Sequence, residues 1–204
     1  MIEAINSFDF TILNFIRENI ANPVLDAIMT FFTYCGEWGL VWAVSIILCI
    51  IFPKTRKAGI AMAVALLLTL LISEVGIKRL VMRERPFTLN PDITLIIKAP
   101  SGYSFPSGHT ASSFAAAVSL FVFHRRLGSA ALVMATFIGL SRVYMYVHYP
   151  TDVLCAMVLG TLIAFAGAFI ADKAYEAVRR RISRGSNGND TDIIQKDEGK
   201  DISQ

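Results

Sequence analysis

Six side chains are costly to carry in a mostly apolar chain unless they do chemistry: Lys78, Arg85, His109, Arg142, His148 and Asp152. Three of them are permanent cations, which points to a polyanionic ligand. The planar fork of Arg142 can grip two phosphate oxygens, whereas Lys78 acts as a point charge. Pro106-Ser107-Gly108-His109 stands immediately before an apolar helical run. Ser107 suits an N-cap, Gly108 allows close backbone approach, and the first free N–H groups of the helix then face an anion. His109 falls in that opening turn. Further on, Asp152 follows His148 by one helical turn, and Pro150 suits the first position of a helix. An aspartate so placed accepts a bond from the imidazole, fixes its tautomer and leaves the other ring nitrogen as a nucleophile. Each residue alone has a plainer explanation, such as snorkelling or a Glu74–Lys78 pair one turn apart. Six of them at the ends of four apolar segments do not.

The elements that must position these groups are membrane helices. Of 204 residues, 54% are hydrophobic and 17% charged, with a mean hydropathy of +0.55. That composition excludes a soluble domain, a nucleic-acid module and disorder over most of the length. Cys35, Cys49 and Cys155 all lie in apolar stretches and read as small hydrophobes, not as a disulfide or metal framework. A spanning helix needs roughly 20 apolar residues. The uncharged runs predict an all-α, polytopic bundle of six transmembrane helices near 22–35, 38–52, 57–81, 108–124, 128–147 and 151–176. Residues 3–20 carry Ile5, Phe8, Ile12, Phe15, Ile16 and Ile20 at helical spacing with polar residues between them, the pattern of an amphipathic interfacial helix. A helix packed against the bundle has the same periodicity. The single transmembrane domain is expected over 1–182, followed by a polar, disordered tail over 183–204. Small residues four apart (Ala111 and Ala115, Gly160 and Ala164, Gly167 and Ala171) suit close helix packing, within the bundle or in a dimer.

Lys54, Arg56 and Lys57, then Arg125 and Arg126, then Arg179, Arg180, Arg181 and Arg184 alternate to one side. The positive-inside rule makes that side cytoplasmic, with both termini inside and the candidate site at the outer face of the cell membrane. Arg79, Arg83, Arg85 and Lys98 oppose the rule on the other side and need another reason.

Lys78-x6-Arg85-Pro86, Pro106-Ser107-Gly108-His109 and Ser141-Arg142-x5-His148-x3-Asp152 together resemble the three-part signature of the type-2 phosphatidic acid phosphatases, integral-membrane lipid phosphatases. The resemblance implies a two-step hydrolysis with no cofactor and no metal. In it His148 attacks phosphorus and forms a phosphohistidine, Asp152 orients His148, and His109 acts as general acid and then base. Lys78, Arg85, Ser107, Gly108 and Arg142 hold the phosphoryl oxygens. The three cations would repel a divalent ion from His109, His148 and Asp152. Phosphatidylglycerophosphatase B-type enzymes and undecaprenyl-diphosphate phosphatases are relatives of similar size. The resemblance favours phosphatidylglycerophosphate, with undecaprenyl diphosphate as the alternative. A carrier or flippase would explain the cations but not two histidines and an aspartate beside one of them. The related vanadium-dependent haloperoxidases are larger and soluble. The expected partners are the bilayer and a phospholipid or prenyl-phosphate substrate.

Overall fold

The computed structural model describes residues 2–198, and all their regular structure is helical. Helix α1 (Ile2–Asn19) is followed by α2 (Pro23–Cys35), which starts on the Asn22 side chain as cap to Val24 and Leu25 N–H and on Pro23 at its first turn. A one-turn helix, Glu37–Gly39, ends at Gly39 with φ 65° and redirects the chain into α3 (Leu40–Ile51). Helix α4 (Arg56–Thr69) runs into a π-helical segment, Leu70–Ile77, and then the short α5 (Lys78–Val81). After α6 (Pro86–Leu89) an irregular loop leads to α7 (Gly108–Phe123), α8 (Arg125–Tyr144) and α9 (Pro150–Glu198).

Helix α7 is the centre of the molecule, packed against α4, α8 and α9. Its sequence explains why: Ala111, Ala115, Ala116 and Ala117 are all fully buried, so three neighbours approach it closely. Gly160 of α9 lies directly on the Ala111 carbonyl, and Gly167 lies against Ala61 and Ala65 of α4. The small-residue pairs are therefore used up inside the bundle. The outward surface is the reverse of a soluble protein's: Phe31, Ile47, Leu67, Val158, Leu162, Phe165 and Phe169 are exposed.

Six spans were expected. By length and apolarity, three helical stretches among the described residues suffice to cross a membrane: Arg56–Leu89, Arg125–Tyr144 and Pro150–Ala177. Helices α2 and α3, bent by 52° at the Gly36–Gly39 turn, make a fourth if taken as one broken span. Helix α7, at 16 residues, is apolar but shorter, and most of its surface meets protein. The last helix, α9, is continuous to Glu198, past residue 182. Residues 199–204 of the expected tail lie outside the described residues. Helix α1 buries Asp9 and Leu13 against the segment 143–153 and leaves Phe8 and Phe15 exposed, so one of its faces packs on the bundle.

Candidate active site

At one end of the bundle, a cavity of 610 Å³ is lined by Lys78, Arg85, Gly108, His109, Arg142 and His148, together with Glu37, Glu74 and Ser101. Four elements deliver these groups from their ends. Lys78 is the first residue of α5, where the π-helical turn has put it on the same face as Glu74; its Nζ donates to the Glu74 carboxylate at 2.7 and 2.8 Å. Gly108 opens α7, and a Cβ there would collide with the Glu74 carboxylate, so glycine leaves the room in which that carboxylate rests. Ser107 takes the N-cap position but makes no side-chain cap; its hydroxyl instead accepts from Thr110 Oγ1 at 3.0 Å, and it does not line the cavity.

The two arginines are fixed in advance. Arg85, just before Pro86, donates from Nε to Gly102 O at 2.9 Å, from Nη2 to Ser101 O at 3.1 Å and from Nη1 to Val147 O at 2.9 Å. Arg142, in the last turn of α8, donates from Nη1 to Thr33 Oγ1 at 2.5 Å. Its Nε is buried with no partner among the described residues, a donor left open beside the cavity.

His148 sits between α8 and α9 and is 2% exposed. Its Nε2 is 3.2 Å from Arg85 Nη1. Arginine only donates, so Nε2 accepts and the ring proton is on Nδ1. Nδ1 faces Ser104 Oγ at 3.4 Å and Asp152 Oδ2 at 3.5 Å. Burial holds this imidazole far below the ordinary histidine value of 6.5; the bond to Asp152 opposes the shift, and the charges of Arg85 and Arg142 add to it. Asp152 lies behind His148, fully buried and outside the cavity lining. Its Oδ2 accepts from Ser104 Oγ at 2.5 Å and Tyr149 N at 3.1 Å, and its Oδ1 accepts from Arg83 Nη1 at 2.7 Å. Across the cavity, His109 Nε2 is 3.3 Å from Glu37 Oε2. Each histidine thus has its own carboxylate.

All eight residues singled out from the sequence converge on this end, six on the cavity wall with Asp152 and Ser107 behind it. The partners that hold them were not legible: Thr33 for Arg142, Glu37 for His109, Ser104 and Arg83 for Asp152. None stands at a fixed spacing from its partner in sequence. The nearest to a signal was Arg83, a cation on the side where the charge rule expects few. In the irregular loop between α6 and α7, Pro100 and Ser101 reach the cavity. Among the described residues no group of three His, Cys, Asp or Glu side chains is placed to hold a metal ion.

The chain is similar to the undecaprenyl-diphosphatase of Sulfolobus acidocaldarius, at 32% identity over 142 residues that cover 69% of this chain and 68% of that protein. It is similar to the undecaprenyl-diphosphatase BcrC of Bacillus subtilis at 30% over 180 residues, covering 80% and 89%. The crystal structure of a transmembrane PAP2 type phosphatidylglycerolphosphate phosphatase from Bacillus subtilis has a TM-score of 0.61 and 25% identity, covering 83% of this chain and 95% of that one. The PAP2 superfamily pattern itself matches residues 58–175, from α4 through the first half of α9, a stretch that contains every site residue named from the sequence, and with it the chain belongs to the PAP2 superfamily.

Proposed function

We propose that the chain is a lipid phosphate phosphatase working through a phosphohistidine on His148. The observation that carries this reading is the set of contacts around one imidazole. Nδ1–H is turned to Asp152, and Nε2, with its lone pair, is turned to Arg85 and the cavity. Nε2 attacks phosphorus, the bond from phosphorus to the lipid-side oxygen breaks, and His109 supplies the proton that oxygen takes. His109 then removes a proton from water, which attacks the phosphohistidine; the P–N bond breaks and inorganic phosphate leaves. Lys78, Arg85 and Arg142, with the N-terminus of α7, hold the phosphoryl oxygens as charge builds on them. Glu37, 3.3 Å from His109 Nε2, orients that ring and favours its protonated form.

For the substrate we favour a prenyl diphosphate of the undecaprenyl kind. Two relatives at about a third identity bear that name, and three fixed cations suit a diphosphate, which carries more charge than a monoester. Phosphatidylglycerophosphate, which the sequence resemblance put first, is the second reading, supported by the likeness to the Bacillus subtilis structure. The carrier reading leaves the Asp152–His148 and Glu37–His109 pairs without a purpose. We also infer six membrane passes, with α7 crossing inside the bundle.

The test is phosphate release by purified protein from undecaprenyl diphosphate, phosphatidylglycerophosphate, phosphatidic acid and diacylglycerol pyrophosphate, with and without a chelator. Undecaprenyl diphosphate is expected to give the highest kcat/KM, unaffected by chelation, with His148→Gln and His109→Gln inactive though folded. Turnover by His148→Gln would remove the mechanism. Preference for phosphatidylglycerophosphate would instead exchange the two substrates, and dependence on an added divalent ion would bring back a metal site.

A further inference from the structure

The carboxylate of Asp9 is fully buried, yet it belongs to α1, outside the residues that carry the family signature. Its Oδ1 accepts from Thr151 N at 3.0 Å; its Oδ2 accepts from Thr151 Oγ1 at 2.5 Å and Arg83 Nη2 at 2.7 Å. Arg83 spans the space between two buried carboxylates: Nη2 is on Asp9 and Asn6, and Nη1 is on Asp152 at 2.7 Å and Thr151 at 2.8 Å. Its guanidinium also lies 3.7 Å over the Tyr149 ring, and Tyr149 N donates to Asp152. The chain of contacts runs from Asp9 through Arg83 to Asp152 and from there to His148.

We infer that Asp9 is a positioning residue for the phosphatase reaction, acting through Arg83 to set the carboxylate of Asp152 behind His148, so that α1 is part of the catalytic apparatus. The physical reason is charge division. With two carboxylates, one on each arm of its fork, Arg83 is held at the midpoint and draws equally on both. Without the Asp9 charge, the full cation is left to Asp152, whose Oδ1 is drawn further toward Arg83 and whose Oδ2 turns from the Nδ1–H it must accept. Asp9 also fixes Thr151, the residue before Asp152, through its backbone N–H, so the first turn of α9 loses a second restraint. Neither effect touches the cavity side, where Lys78, Arg85 and Arg142 meet the ligand.

This inference rests on His148 being the nucleophile, and the experiment separates the two. Asp9→Asn keeps the shape of the side chain and removes its charge. It is expected to lower kcat by about 10- to 100-fold, the range seen for partners behind metal-bound histidines, with KM within about twofold and binding of inorganic phosphate unchanged. In an Asp152→Asn background, Asp9→Asn is expected to cause no further loss, because the route through Asp152 is already cut. A purely structural α1 predicts multiplying losses instead, and that result would overturn the inference, as would a wild-type kcat in Asp9→Asn or a change confined to KM. Arg83→Lys keeps the charge but cannot bridge both carboxylates, and is expected to show the same kcat-selective loss. It stands as the second variant if Asp9→Asn no longer binds phosphate, and a wild-type kcat there counts equally against the inference. Turnover by His148→Gln removes the nucleophile reading itself; a silent Asp9→Asn beside an inactive His148→Gln removes only the role of Asp9.

Discussion

The anion nearest the open cradle is one of the protein's own. Glu74 occupies Lys78 with two charge-assisted hydrogen bonds and lies against Gly108 at the start of α7, where the helix presents unsatisfied N–H groups. A phosphate entering the cavity competes with that carboxylate for Lys78 and is repelled by it. Glu74→Gln is therefore expected to tighten inorganic phosphate by ~10-fold, the effect of removing one like charge at a partly screened distance. Titration calorimetry measures it, and equal or weaker binding would show that Glu74 serves to aim Lys78. The imidazole of His148 gives a second prediction. Its folded value lies below the unfolded 6.5, so its neutral form contributes stability in full above pH 6.5. That contribution is lost as pH falls from there through the folded value. In ring-labelled protein the resonances that disappear in His148→Gln are expected to remain those of a neutral ring at about pH 5.5. A midpoint near 6.5 would mean the ring is solvated.

At the scale of the element, what was readable depended on whether a residue's partner lay close to it along the chain. His148 and Asp152, four residues apart, and Lys78 and Glu74, likewise, announce themselves by spacing. Thr33 and Arg142, or Asp9 and Thr151, meet only because α2 packs on α8 and α1 on α9, and no local pattern encodes those contacts. The helices followed the same division. Uncharged runs located α4, α8 and α9 well, but the polar run after 182 carried no sign that the helix would continue through it. The small-residue pairs announced close packing without naming the surface, and the structure places Gly160 on Ala111 within one chain. A methyl group at 160 must push α9 off α7. Gly160→Ala is expected to cost about 1–3 kcal/mol, seen as a lower Tm in detergent, whereas Val158→Ala on the outward face is expected to leave Tm nearly unchanged. An altered oligomeric state with unaltered Tm would assign Gly160 to a dimer contact.

The whole molecule has two chemically distinct ends. At one, the C-terminal ends of the α4 segment and α8 meet the N-terminal ends of α7 and α9 around the cavity. At the other, Lys57 pairs with Asp172 and lies over the rings of Phe123 and Tyr175, and Arg125 lies over Phe121. The sequence left a conflict here, because cations occur at both ends. Arg83 and Arg85 resolve part of it: both are tied into internal partners, 18% exposed at the side chain and 6% overall respectively, so neither is free surface charge. With those two and the cavity cations Lys78 and Arg142 set aside, Lys54, Arg56, Lys57, Arg125 and Arg126 outweigh Arg79 and Lys98, and the positive-inside rule predicts that the cavity end faces outward. In a variant whose Cys35, Cys49 and Cys155 are replaced by alanine, a membrane-impermeant maleimide should label Lys98→Cys in intact cells and Arg126→Cys only after permeabilisation. Both positions are exposed, so accessibility on the protein itself does not limit the reaction. The reverse pattern would turn the bundle over and require the headgroup to be cleaved on the cytoplasmic side, where the released phosphate would then appear.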